Sequence, residues 1–361
     1  MIYTIDENII KSFRNKVDDN ENFVYTAYKN VNSKNYWNLI CSCMDWIDVA
    51  VSYLQEYHFD KHKINLMSMQ VYTYISAIDI IFESIKQLHR AIIKDDNIPF
   101  KGINTIFKNN NICKDDNSYF KQIRAAFGAH PVNLEDNNGK WFASWPSDYS
   151  FGNEHDFQII LYSSIIDKDD IVFGLKFDEL NDFLQDRYAY LNVLSNELDL
   201  QFKEFKNKLI NQQIEQSTDI LQQLEILRVE SSLRLNNDYY RSTIEELITI
   251  YNHELKSQKH MESFNDYKDR LKKLITEINN NLQIMKFKDF KYDSILNPDY
   301  PSELLYSITK LYTCDFNSSK DPLFNFFLKN LNDYSSGRYD FQIDDSPDEL
   351  LIKLKLMLFY K

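Results

Sequence analysis

INLMSMQVYTYISAIDIIFESIKQL, residues 64–88, runs without a glycine or a proline. Leu66, Met69, Tyr72 or Tyr74, Ile75, Ile78, Phe82, Ile85 and Leu88 recur mainly at three- and four-residue steps. That spacing lays side chains on one face of an α-helix and predicts a helix over 62–93. The preceding stretch, 34–58, repeats the pattern with Trp37, Ile40, Cys41, Met44, Ile47, Val51 and Leu54, and Ser33 stands where an N-cap belongs. Two long helices joined by a short link predict an antiparallel hairpin inside a helical bundle. The fold class that follows is mainly α.

Composition agrees. Of 361 residues, 43% are hydrophobic and 15% aromatic, enough for a sizeable core, while only 6 are glycine and 7 proline. Folds rich in tight turns need more of both, so long helices with few connections are favoured. The length predicts two or three domains.

The helical pattern breaks at KDDNIPFKGINT, residues 94–105, where a short helix over about 100–108 is expected. After the loop NNNICKDDNS, a helix starting near Asp116–Ser118 should end close to Gly128–His130, with Pro131 as a stop signal. KWFASWP, DFQIILYSS and IVFGLKF then read as two or three strands of a small antiparallel meander over about 140–176. Phe177, Leu180, Leu184, Leu191, Leu194, Leu198, Phe202, Phe205 and Leu209 resume the helical spacing. One continuous helix over 177–210 would be about 50 Å long. The polar run 211–219 reads as a hinge, giving domains at 1–215 and 216–361. The second is expected to be helical over 219–235, 238–257, 262–285, 302–312, 322–333 and 347–359, and to serve regulation or assembly.

Several function classes are excluded. The formal net charge is −13, and no basic run exceeds FKEFKNK or RLKK. General DNA binding needs a basic surface, so it is disfavoured, whereas a small basic site for an exposed RNA loop is not. The most apolar stretches carry Asp45, Asp48, Asp79 and Glu83, which argues against a membrane span. The N-terminus shows no basic segment followed by an apolar one, and Cys41, Cys43, Cys113 and Cys314 lack zinc or disulfide spacing. A cytoplasmic protein with reduced thiols is expected. Phosphate-cradling glycine loops and metalloprotease or serine-hydrolase motifs are missing, so no cofactor is expected. HFDKH puts His58 and His62 four apart around Asp60, but at a helix junction, where it reads as a solvated turn and not as a metal site.

IRAAFGAHP, residues 123–131, remains. Arg124 and His130 flank small residues, so both side chains can reach one pocket. A histidine titrates near neutrality and can move protons. An arginine stays charged and grips phosphate oxygens through two N–H groups. A purely structural role is the competing reading: Arg124 pairs with Asp79 or Glu83, and His130 caps the helix end.

An Arg, five residues, then a His at the end of a late helix in an all-α bundle resembles the HEPN superfamily of ribonucleases. The resemblance covers roughly residues 34–135, with the helix at 177–210 as a closing element and the strands as an insertion. It implies a metal-independent endoribonuclease with Arg124 and His130 catalytic, completed across a homodimer. Asp79 and Glu83, one turn apart, would orient the pair, with Glu83 the candidate partner of Arg124. It implies an RNA substrate such as tRNA or mRNA, and a toxin–antitoxin or anti-phage abortive-infection role with an antitoxin or a phage-derived trigger as partner. Two positions depart from the family pattern: Ala125 follows the arginine where Asn is common, and Val132 stands where antitoxin-modified members carry Tyr. The alternative class is a non-enzymatic helical scaffold that uses such a bundle to dimerise.

Overall fold

The computed structural model describes residues 5–19, 23–60, 62–110, 113–129, 132, 134–136, 139–147, 154–234, 237–255 and 258–360. It is mainly helical, with one small antiparallel sheet. Two compact units divide the chain, Met1–Phe202 and Lys203–Lys361.

The N-terminal unit opens with α1 (Glu7–Asp19) and α2 (Phe23–Tyr28), followed by α3 (Tyr36–Gln55) and α4 (Ile64–Ile92). The expected hairpin is present: α3 and α4 pack along one another, and Tyr53 Oη donates to Thr73 Oγ1 at 2.8 Å. Asn35 caps α3 by accepting from the Asn38 amide, whereas Ser33 sits in a left-handed turn (φ 63°) where its hydroxyl cannot take that role. Ile40, Met44, Ile47, Val51 and Leu54 are buried, as are Ile75, Ile78, Phe82, Ile85 and Leu88. The first turns of α4 depart from expectation. Met67, Val71 and Tyr74 face inward, while Leu66, Met69 and Tyr72 are exposed. The inter-helix loop sets that phase: Tyr57 stacks on Tyr74, and Phe59 stacks on Phe177, drawing the Tyr74 side of α4 into the core.

No helix forms over 100–108; the segment is a series of turns. Phe100 and Gly102 take positive φ (64° and 77°), and the amides of Thr105, Ile106 and Phe107 donate to the buried carboxylate of Asp116. A side chain has replaced the helical carbonyl partners. α5 (Asp116–Arg124) follows, capped by Asp115, and passes into a π-helical turn, Ala125–Ala129.

Four strands, β1 (Leu134–Asp136), β2 (Gly139–Ser144), β3 (Phe157–Ser163) and β4 (Ile171–Leu175), pair antiparallel in the order β1-β2-β3-β4. The register sets Trp141 opposite Ser163 and Phe157 opposite Leu175. Period two puts Trp141, Phe157, Ile159 and Leu175 on the buried face. Gly174 is glycine because the His155 ring lies on it; a Cβ there would meet the ring at 2.1 Å.

The expected helix over 177–210 is two helices, α6 (Phe177–Ala189) and α7 (Leu191–Asn211), interrupted at Tyr190. The Tyr190 amide bonds the Arg187 carbonyl three residues back, which tightens the turn. Its phenol is engaged by His89 Nδ1 at 2.9 Å. That side-chain tether from α4 is invisible to helical periodicity.

In the C-terminal unit, α8 (Ile220–Arg234), α9 (Asp238–Asn252), α10 (Met261–Gln283), α11 (Asp293–Leu296), α12 (Leu305–Thr313), α13 (Phe324–Ser335) and α14 (Pro347–Phe359) surround one core. The division between units falls inside α7, earlier than residue 215. Leu209 packs on Met285, and the buried Arg234 guanidinium donates to the carbonyls of Leu209 and Gln212 at 2.8 Å and of Leu282 at 3.3 Å. One cation thus closes the C-terminal carbonyls of α7 and α10. Among the described residues, no helix is long and apolar enough to cross a membrane.

Candidate functional site around Arg124

α4 presents a polar line, Tyr72, Ser76, Asp79 and Glu83, toward α5 and the π-helical turn. The steps of four, three and four residues keep these side chains on one face. Arg124, the last residue of α5, meets that line: its Nε lies 2.8 Å from Asp79 Oδ2. The arginine side chain is 47% exposed and the aspartate 15%. The Asp79 contact is through Nε, and the arginine side chain is half-exposed. No other carboxylate among the described residues pairs with the guanidinium.

Burial lifts the Asp79 carboxyl above the ordinary carboxylate value; Arg124 opposes the shift and Glu83 adds to it. Asp79, rather than Glu83, is the group that holds the guanidinium. Glu83 instead pairs with Lys86, whose nearly buried ammonium also lies 4.7 Å from the centre of the Phe82 ring. Lys86 neutralises Glu83 along its own helix, at i and i+3, and so removes it from the arginine.

After Arg124 the backbone widens into the π-helical turn. Such turns are rare and recur at functional positions. Here the turn brings Gly128 against Tyr72. A Cβ at 128 would stand 3.2 Å from the tyrosine ring, so the small residue lets the ring close over the turn. His130 lies outside the described residues, as does Pro131. Asp79 and Arg124 are thus brought together, while Glu83 stays one helical turn along the same line.

The sequence reading took Gly128 only as a helix end and Tyr72 only as part of the apolar stripe, and it passed over Lys86. The signal for Tyr72 was present: Tyr72, Ser76, Asp79 and Glu83 form a polar line inside an apolar helix. The weight given to Tyr72 as part of the apolar stripe hid it.

His58 and His62 sit in the α3–α4 loop. Asp60 accepts from the His62 amide at 2.9 Å, and the Asp60 amide donates to Gln70 Oε1 at 2.8 Å, which folds the segment as a turn. Among the described residues, no group of three His, Cys, Asp or Glu side chains has a metal-holding arrangement.

Comparison with protein-family models, with curated proteins and with solved structures finds no match to this chain.

Proposed function

We propose that this chain is a metal-independent endoribonuclease of the HEPN type, with Arg124 and His130 as its catalytic residues. The observation that carries the reading is the Arg124 fork: a half-exposed guanidinium, fixed through Nε by a half-buried aspartate. A phosphate oxygen pair fits such a fork in a bidentate mode. His130 takes the proton from a ribose 2′-hydroxyl as its oxygen attacks the adjacent phosphorus. Arg124 stabilises the charge that builds on the phosphoryl oxygens. The P–O5′ bond breaks, and the leaving oxygen takes a proton from the partner subunit's His130. The products are a 2′,3′-cyclic phosphate and a 5′-hydroxyl.

A homodimer supplies the second histidine. Trp46, Val49 and Tyr53 on α3, with Leu66, Met69 and Tyr72 on α4, are all exposed. An apolar surface of this kind favours association, and Tyr72 joins it to the Arg124 site. The RNA cleaved would be tRNA or mRNA, in a toxin–antitoxin or abortive-infection setting with an antitoxin or phage-derived trigger; these follow from the resemblance of IRAAFGAHP. The net charge of −13 favours the alternative, a non-enzymatic scaffold that dimerises through the same surface.

Purified protein incubated with total RNA in EDTA separates the two. The enzyme cleaves, and Arg124→Ala or His130→Ala lowers the rate by about 10²-fold or more while the fold is kept. Retained cleavage in both folded variants removes the catalytic assignment. Dimerisation without cleavage leaves the scaffold.

A further inference from the structure

The buried face of the sheet does not close fully on α5. Between them lies a cavity of about 160 Å³. Its floor takes one side chain from each strand: Leu134 of β1, Trp141 of β2, Leu161 of β3 and Phe173 of β4. The register makes these a single patch. Leu134 stands opposite Trp141, Trp141 opposite Ser163 and Leu161 opposite Ile171, so period two sets all four on one face. The roof comes from α5 and the π-helical turn. Gln122, Ala125 and Ala126 lie three and four residues apart, on one helical face. The two residues that follow Arg124 are therefore small where they meet the cavity, and a longer side chain at either would reach into it.

The floor is rigid. Trp141 is 4% exposed, and Lys168 Nζ lies 4.5 Å from the centre of its ring. Phe173 meets Tyr119 edge to face, with centroids 6.1 Å apart, and packs on Phe127 at 5.6 Å. Two aromatic rings held in this way suit a flat apolar body. No charged side chain lines the cavity among the described residues. Its one polar side chain, Gln122, is exposed and makes no side-chain hydrogen bond among the described residues. Size narrows the occupant. A cavity of about 150 Å³ lined by aliphatic and aromatic side chains holds one benzene ring. This one therefore admits a single six-membered ring, whereas a fused pair of rings overfills it. Ala125 follows Arg124 directly, so the cavity adjoins the guanidinium, and His130 stands in sequence between Ala126 and Leu134.

A flat apolar slot with one amide at its rim, beside a group that grips phosphate, matches a nucleobase. We propose that this cavity receives a pyrimidine base, from a nucleotide next to the scissile phosphate of a single-stranded RNA. The proposal rests on Arg124 as the phosphate-binding group. The base lies in the slot against Trp141 and Phe173, as unpaired bases do on aromatic side chains. The Gln122 carboxamide meets the base edge. It carries both donors and an acceptor and can turn over, so it serves uracil and cytosine alike. Purines are excluded by volume. Cleavage then falls beside pyrimidines, without a choice between the two.

Binding and cleavage are measured separately. Trinucleotides with 2′-O-methyl groups cannot be cleaved, because the attacking hydroxyl is blocked, so their calorimetric titration into the full chain reports the cavity alone. The uridine and cytidine trimers should bind within about twofold of each other, and the adenosine trimer about tenfold or more weaker. Gln122→Ala, at an exposed position, should weaken the uridine trimer about fivefold and leave the adenosine trimer unchanged. Ala125→Leu, which fills the slot, should bring the uridine trimer to the adenosine level. Thermal unfolding of the unliganded variants verifies their folding, and if Ala125→Leu unfolds, Gln122→Ala decides. Bonds cut in total RNA should carry a pyrimidine on one side. The proposal is overturned if the uridine and adenosine trimers bind alike or not at all, if the folded variants keep the parent's preference, or if cleavage falls equally beside purines and pyrimidines. A uridine preference without any cleavage supports the cavity and removes the nuclease assignment alone.

Discussion

The two ends of α5 carry the same charge types in opposite settings. At its start, Asp116 is fully buried and accepts from three amides at 2.9–3.2 Å. Asp115 accepts from the amides of Gly102 at 3.0 Å and Ser118 at 2.8 Å. Arg187, also buried, donates to Asn117 Oδ1 at 2.9 Å and lies between the rings of Phe183 and Phe100, at 4.0 and 4.6 Å. Burial brings its pKa down to about 10, against the pull of Asp116. At the end of α5, Arg124 is half-exposed and has one carboxylate. A charged group enclosed by partners organises backbone, whereas one held by a single contact at the surface keeps donors for a ligand. Partner count and exposure, rather than the mere presence of an arginine and an aspartate, separate anchor from site.

The largest effect comes from breaking the anchor. Asp116→Ala removes the acceptor for three amides and a carboxylate charge that favours the buried Arg187 guanidinium. Stranding those buried groups costs about 3–5 kcal/mol. The urea midpoint of the N-terminal unit should fall accordingly, and Arg187→Met in the same background should recover part of the loss by removing the stranded charge. A drop under about 1 kcal/mol would mean that the turns over 98–110 stand without Asp116.

That anchor also marks where sequence reading stopped. The hairpin of α3 and α4 was legible because burial on a helix writes its period into the chain, and Ile75, Ile78, Phe82, Ile85 and Leu88 are all buried. So were three of the four strands, as short aromatic and β-branched runs between loops, and six helices of the C-terminal unit, whereas β1 and the four-residue α11 were not. Several missed features are side-chain contacts between separate segments: Asp116 with the turns before α5, His89 with Tyr190 at the α6–α7 break, and Arg234 with the end of α7. Periodicity carries no record of such contacts. At the candidate site, Asp79 and Arg124 were legible as an acid within a stripe and a base at a helix end. The choice of Asp79 over Glu83 was not, because Lys86 decides it.

A smaller effect tests the exposed end. Replacing glycine by alanine inside a helix ordinarily stabilises by about 1 kcal/mol. At 128 the new methyl meets the Tyr72 ring at 3.2 Å, which offsets the gain. Gly128→Ala should leave the urea midpoint nearly unchanged in the parent and raise it in a Tyr72→Ala background. The coupling between the two positions should be about 0.5–1 kcal/mol in a double-mutant cycle. Equal stabilisation in both backgrounds would show that the ring does not close on the turn.

The smallest effects, each under about 1 kcal/mol, set the two ends against each other as pH falls. Burial acts to raise the Asp115 carboxyl, but the amides of Gly102 and Ser118, the Ser118 hydroxyl and Arg187 outweigh it, and it lies below its ordinary value of 3.8. A depressed carboxylate contributes stability that is present above 3.8 and lost as pH falls through its folded value. Asp79 is raised above 3.8 by burial despite Arg124. A raised carboxyl contributes stability that is complete below 3.8 and lost as pH rises through its folded value. Acidification from neutrality therefore relieves Asp79 first and then loosens Asp115. Urea midpoints followed from about pH 6 to about pH 3 should show a steeper acid loss in Asp79→Asn at the upper part of that range, and a shallower one in Asp115→Asn at the lower part. A shallower acid loss in Asp79→Asn than in the parent would mean that the Arg124 pair, rather than burial, governs the aspartate. The guanidinium would then be tied to its carboxylate too firmly to serve a phosphate.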